Sequence, residues 1–194
     1  MSYFADLDCS VIDELPPGRT PIRTRLIADT RREDVIAAIR SAIAGGEQCY
    51  WVCPLIEESD TLELQTAIDT HALLTEALPD YQVGLVHGRL KADEKISTMR
   101  AFADGDLHLL VATTVIEVGV DVPNASLMVI EHAERFGLAQ LHQLRGRVGR
   151  GARESSCILI YGKPLSNTAK ERLRIIYENT DGFEIAQADL QLRG

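Results

Sequence analysis

Short apolar runs alternating with longer amphipathic stretches constrain this chain more than any other feature. The runs are Ile22–Ile27, Tyr50–Ile56, Val83–Val86, Leu107–Ala112, Leu127–Ile130 and Cys157–Tyr161, each bounded by turn residues, and each reads as a strand. Between them lie segments with helical periodicity. Thr30-x-x-Glu33 is a capping-box pattern followed by Val35, Ile36, Ile39 and Ile43, and Gly45-Gly46 stops it. Asp60-x-x-Glu63 resembles a second N-cap, opening a helix that Pro79 closes. Lys91–Ala103 is expected to be a helix with Ile96, Met99 and Phe102 inward, and Leu138–Leu144 is another. Strands alternating with helices of about 10–18 residues imply βαβ units, hence a parallel sheet covered on both faces. In such α/β sheets ligands sit beyond the carboxyl ends of the strands. The loops after Val86, Ala112 and Ile130, and the helix running into Gly146, should therefore share one rim.

Those loops carry the unusual sequence. Gln143-Leu-Arg-Gly-Arg-Val-Gly-Arg-Gly151 interleaves arginine with glycine in a chain of net charge −9. Arginines so spaced can aim several planar guanidinium groups at one small polyanion, and glycines let the backbone approach it. A phosphate is the natural guest. The overall negative charge excludes a protein that coats nucleic acid by bulk electrostatics. Any DNA contact is expected to be local, and the strip 143–153, with Arg145, Arg147, Arg150, Arg153 and no acid, is the candidate.

Two further loops fit the same theme. Thr113-Thr114 directly follows a predicted strand, where hydroxyls can hold a phosphate of a nucleotide or a nucleic-acid backbone. Gly119 permits a tight turn in that loop, and Asp121 can accept from a ribose hydroxyl. Val86-His87-Gly88-Arg89-Leu90 leads from a strand into a helix; Gly88 leaves backbone N–H groups free there, and Arg89 and Lys91 add charge.

Other features carry no chemistry. Asp13-Glu14 mimics a Walker B pair, yet Pro16, Pro17 and Gly18 follow it, so residues 1–19 read as an incoming linker. Asp93-Glu94 suits a helix start. His71, His108, His132 and His142 share no ligand spacing and read as structural, with a supporting role open for His142 beside the arginine run. No metal site is expected. The four cysteines form no framework. Cys49 and Cys53 on one strand would stand roughly 13 Å apart, whereas a disulfide needs Cα atoms within about 7 Å. Reduced thiols and the absence of a membrane span or signal layout suggest a cytoplasmic protein. There is no Gly-x-x-x-x-Gly-Lys-Ser/Thr anywhere, so the chain has no P-loop of its own.

The pattern Gln-x-x-Gly-Arg-x-Gly-Arg, carried by Gln143, Gly146, Arg147, Gly149 and Arg150, resembles the arginine-finger motif VI of superfamily 2 helicases. Thr113–Pro123 resembles motif V in the right order and spacing. Tyr3–Asp8 with Ser10–Pro21, Cys53–Ser59, Leu138–Gly151 and the tail Asp181-Gly182-Phe183 with Ile185-Ala186-Gln187-x-Asp189-Leu190-x-x-Arg193-Gly194 together resemble the RecG family within that superfamily. The tail is similar to a translocation element shared with transcription-repair coupling factors.

The resemblance implies a RecA-like fold with three layers, a parallel sheet with helices on both faces, plus the start of a helical hairpin. Residues 1–19 would be an interdomain linker, 20–163 the second motor domain, and 164–194 the truncated start of the translocation element. The parent would be an ATP-dependent DNA helicase remodelling stalled forks and Holliday junctions. It would use ATP with Mg2+, bound mainly by a separate P-loop domain. Arg147 and Arg150 would reach the γ-phosphate, with Gln143, Gly119 and Asp121 supporting the nucleotide. Gly88, Arg89, Thr113 and Thr114 would face DNA, and Arg172, Gln187 and Arg193 would belong to the translocation element. Expected partners are branched DNA and the P-loop and wedge domains of a longer, monomeric chain. The alternatives are another superfamily 2 motor, such as a transcription-repair coupling factor or an RNA-directed enzyme, or a non-catalytic RecA-like binding module. Intact Arg147 and Arg150 speak against the last.

Overall fold

The computed structural model describes residues 22–54, 60–113, 122, 124–148 and 155–178. Among these residues six strands form one sheet: β1 (Ile22–Ala28), β2 (Gln48–Cys53), β3 (Val83–Val86), β4 (Leu109–Thr113), β5 (Ala125–Ile130) and β6 (Ser155–Tyr161). All pairings are parallel, in the order β1-β6-β5-β2-β4-β3. Among the described residues five helices connect or follow them: α1 (Arg32–Ala44), α2 (Asp60–Ala77), α3 (Ala92–Ala103), α4 (Leu138–Arg145) and α5 (Asn167–Glu178).

The inner strands are apolar at most positions because both faces are covered, while the edge strand β1 carries Arg23, Thr24 and Arg25. Along β2, Cys49, Trp51 and Cys53 face one core while Tyr50 and Val52 face the other. The first core packs against α1, through Val35, Ile39 and Ile43, and against Leu74 of α2. The second packs against Met99 and Phe102 of α3, Leu138 and Leu141 of α4, and Leu173 and Ile176 of α5. This is the three-layer arrangement that the strand–helix alternation predicts. Each fully buried large side chain contributes about 1.5–3 kcal/mol, so Trp51 and Phe102, both 0% exposed, tie the layers at the centre of the sheet.

Local signals held in part. Pro79 follows α2 closely, as expected. Ser166 caps α5, its hydroxyl accepting from the Ala169 N–H at 3.0 Å. Gly46 ends α1 with φ of 91°, a conformation that strains any residue bearing a Cβ. Two expectations need correcting. Thr30 is no cap: a 3-10 turn at Asp29–Arg31 intervenes, and α1 begins after Arg31 with no side-chain cap bond. Ile96 does not face inward, being 43% exposed while Met99 and Phe102 are buried. The three described cysteines, Cys49, Cys53 and Cys157, are buried and free, as expected.

Candidate functional site at the carboxyl rim of the sheet

The register fixes where the strands end. Cys53 pairs with Thr113, Val86 with Ala112, Val52 with Ile130, Ile130 with Leu159, and Ala28 with Tyr161. The six carboxyl ends therefore lie along one edge of the sheet. Thr113 closes β4 there, 1% exposed. Thr114, Gly119 and Asp121 follow it in the chain and lie outside the described residues, as do Arg150, Arg153, Gln187, Arg193 and the linker 1–19.

After β3 the chain turns at once into α3. The His87 imidazole Nδ1 accepts the Arg89 backbone N–H at 3.2 Å, and Leu90 N–H donates to His87 O at 3.3 Å. Accepting at Nδ1 places the ring proton on Nε2. Burial lowers the His87 pKa, and Lys95 and Arg89 lower it further against the opposite pull of Glu94. The imidazole is thus neutral at pH 7. Arg89 is exposed, and a Cβ built on Gly88 would meet nothing within 4 Å, so a phosphate can come close to the backbone there.

The arginine run starts on α4. Gly137 N–H donates to Gln140 Oε1 at 3.1 Å and fixes the helix start. Leu138 and Leu141 point into the core, while Gln143 is exposed on the other side. Beyond the last turn, Arg147 N–H donates to Leu144 O at 3.0 Å, and Arg147 is half-buried. Val148, 0% exposed, pins the chain again. A short, well-held helix end thus carries Gln143 exposed and Arg147 half-buried just beyond it.

Arg145 departs from the reading of 143–153 as one basic strip. It is 3% exposed, and its Nη1 donates to Ile176 O at 2.6 Å and to Thr24 Oγ1 at 3.3 Å. Burial pulls its pKa down. It is a strut between α4, α5 and β1, with no face left for DNA. Arg172, expected in a translocation element, is half-buried on α5 and donates to Glu134 O at 3.1 Å. His71 and His108 are structural as expected: the first bonds Val83 O at 2.9 Å, the second accepts Gln82 N–H at 3.0 Å.

Sequence reasoning missed the acids between β5 and α4. Glu131, 7% exposed, accepts from the Trp51 indole N–H at 2.9 Å and forms an ion pair with Arg32. Glu134 Oε1 accepts Gly162 N–H at 3.0 Å, and its Oε2 lies 3.3 Å from His132 Nδ1. Burial raises the Glu134 pKa, but these bonds outweigh it and leave the pKa lowered. Between the two acids, His132 adopts a left-handed conformation, φ 49° and ψ 52°. The one available signal was position: a carboxylate directly after an apolar strand has to find partners. Among the described residues no group of three or more His, Cys, Asp or Glu side chains could hold a metal ion.

The helicase conserved C-terminal domain family matches residues 31–152. The chain is 64% identical to the ATP-dependent DNA helicase RecG of Escherichia coli O157:H7, over 100% of the chain and 28% of that protein. It is 50% identical to RecG of Thermotoga maritima, over 100% of the chain and 25% of that protein. The chain thus spans about a quarter of the length of these relatives. Among solved structures, RecG bound to a three-way DNA junction superposes with a TM-score of 0.79 at 47% identity, covering 97% of the chain and 24% of that protein. Domain 2 of the DEAD-box helicase Mss116p superposes at 0.60 with 17% identity, over 87% of the chain and 68% of that one, a likeness of fold.

Proposed function

The chain belongs to the helicase conserved C-terminal domain family, and from that premise we propose that it is the second RecA-like motor domain of a RecG-type ATP-dependent DNA helicase. Residues 20–163 would form the motor domain, 1–19 the linker to a P-loop domain of the same longer chain, and 164–194 the start of a translocation element. One observation carries the reading most: α4 holds Gln143 outward and delivers Arg147 one turn later, on a helix end locked by buried Leu141, Arg145 and Val148.

Bound ATP would supply a γ-phosphoryl group in whose transfer negative charge spreads over the phosphate oxygens. Catalysis of such transfer is mostly positioning and charge stabilisation. Arg147 and Arg150 would stabilise that charge from across the interdomain cleft, a contribution of about 10³–10⁵ in rate, or roughly 4–7 kcal/mol. Because the two arginines meet their phosphate partner only when ATP is present, they favour the closed arrangement of the domains. Gln143, Gly119 and Asp121 would hold the nucleotide. Mg2+ would be held mainly by the P-loop domain together with the ATP phosphates.

Gly88, Arg89 and Thr114 would contact the DNA backbone, through backbone N–H groups, one guanidinium and a hydroxyl that carry no sequence preference, whereas Thr113, at 1% exposed, offers DNA no surface. Arg172, Gln187 and Arg193 would pass the motion of this domain to the duplex. Branched DNA is the proposed substrate, with a wedge domain of the longer chain reading the branch, and the protein acting as a cytoplasmic monomer. None of the described helices is long and apolar enough to cross a membrane.

The test is ATP turnover by the full-length protein with a three-way junction, linear duplex or single-stranded RNA as the stimulating nucleic acid. The junction is expected to stimulate best. Equal stimulation by RNA would contradict the substrate reading and favour a different motor of the superfamily.

A further inference from the structure

Glu131 joins three rim segments that are distant in sequence. Its carboxylate takes the Trp51 indole N–H from β2 and Arg32 from the head of α1, and its own backbone N–H donates to Val52 O at 2.9 Å. At 7% exposed it stands among apolar strand ends, where a carboxylate is tolerated only with partners for its charge. The path from there to Arg147 has little slack. Arg135 N–H donates to His132 O at 2.9 Å and Phe136 N–H to Ala133 O at 3.1 Å, closing the 3-10 turn. Phe136 is buried, Gly137 caps α4, and the turn after α4 delivers Arg147. Close-packed short elements transmit a displacement rather than absorb it.

We infer that Glu131 is a positioning residue for the arginine fingers: clamped by Trp51 and Arg32, it sets where α4 begins and thereby where Arg147 and Arg150 can reach. This rests on the motor-domain reading above. Glu131 touches neither nucleotide nor DNA in this role, and Arg32, one-third exposed at its side chain, acts only by holding the carboxylate.

The experiment uses the full-length protein, wild type beside Glu131→Gln, Arg32→Met, Arg150→Ala and the Glu131→Gln/Arg150→Ala double variant. Glu131→Gln and Arg32→Met are each expected to lower junction-stimulated kcat about tenfold, a loss typical of misplaced catalytic groups. The KM for ATP and the Kd for the junction should stay within about twofold, since a positioning loss falls on the transition state. The double variant should be slower than Arg150→Ala by much less than the Glu131→Gln loss seen in wild type, because both changes act on one step and only the Arg147 share of that loss remains. The Trp51 indole 1H–15N resonance, assigned with Trp51→Phe, should move in both Glu131→Gln and Arg32→Met while the remaining spectrum stays folded. Wild-type kcat in both single variants, or a double variant slower by the product of the two losses, would overturn the inference and leave Glu131 a core stabiliser. If Glu131→Gln does not fold, Arg32→Met decides alone, because it leaves the buried carboxylate and its Trp51 bond in place. Full turnover in Arg150→Ala would instead strike the finger reading itself.

Discussion

Replacing Arg145 by methionine separates the two roles that an arginine in this run can have. In the structure its guanidinium gives a 2.6 Å bond to Ile176 O and a 3.3 Å bond to Thr24 Oγ1, and the side chain is 3% exposed. A hydrogen bond from a charged donor contributes about 1.5–3 kcal/mol, so the short bond is assigned about 2 and the long one about 1. Methionine fills similar volume and relieves the burial of a charge, but it leaves the Ile176 carbonyl without this donor. The expected loss is about 3 kcal/mol. With a urea m-value of about 2 kcal/mol/M, the unfolding midpoint should fall by about 1.5 M with m unchanged. The assay is urea unfolding followed by circular dichroism, run beside junction binding by the full-length variant. The same midpoint with weakened DNA binding would refute the strut assignment and return Arg145 to the DNA-facing strip.

Other outcomes follow from the same structure. The 194-residue chain alone is expected to hydrolyse ATP at less than about a thousandth of the full-length rate, because its fingers lack the domain that binds the nucleotide; robust turnover by the pure chain would contradict this. Gly46→Ala should cost about 1–2 kcal/mol, since φ of 91° strains a Cβ-bearing residue, and a thermal melt of the variant checks it. Burial pushes the Cys53 and Cys157 thiols up from 9.0 to about 12. Raised in the folded state, they contribute stability that is complete below pH 9 and lost as pH rises toward 12, at about 1.4 kcal/mol per pH unit for each thiol. Urea midpoints between pH 8 and 11 should therefore fall steeply only above 9, and a flat profile would show that the thiols are open to water.

The strands were readable because burial on both faces makes them continuous apolar runs, a pattern that survives without knowledge of any partner. The failures have specific causes. Thr30 and Glu33 match a capping box, but the 3-10 turn after β1 takes up Thr30 and shifts the helix start past it, to Arg32. Ile96, Met99 and Phe102 are spaced by threes, and at 100° per residue Ile96 ends about 120° away from Phe102, off the buried stripe. Arg145 was misread although the signal was there: it continues the Leu138–Leu141 stripe at i+7 and so faces inward with them. A motif of charges states which groups are present, and helical phase states where they point. Glu131 had only its position after an apolar strand as a local signal, and that could not name its partners, since Trp51 and Arg32 lie 80 and 99 residues away in the chain. The rim itself was predictable from parallel topology, which puts every loop after a strand on one edge.

The most direct measurement of the central claim is junction-stimulated ATP turnover by the full-length protein, wild type beside Arg150→Ala. Turnover is predicted to fall by at least about 10²-fold, toward the full value of an arginine finger, while junction affinity is retained. Unchanged turnover would mean that the run from Gln143 to Arg150 serves structure or DNA, and the assignment of this domain as half of an ATP-driven motor would be wrong.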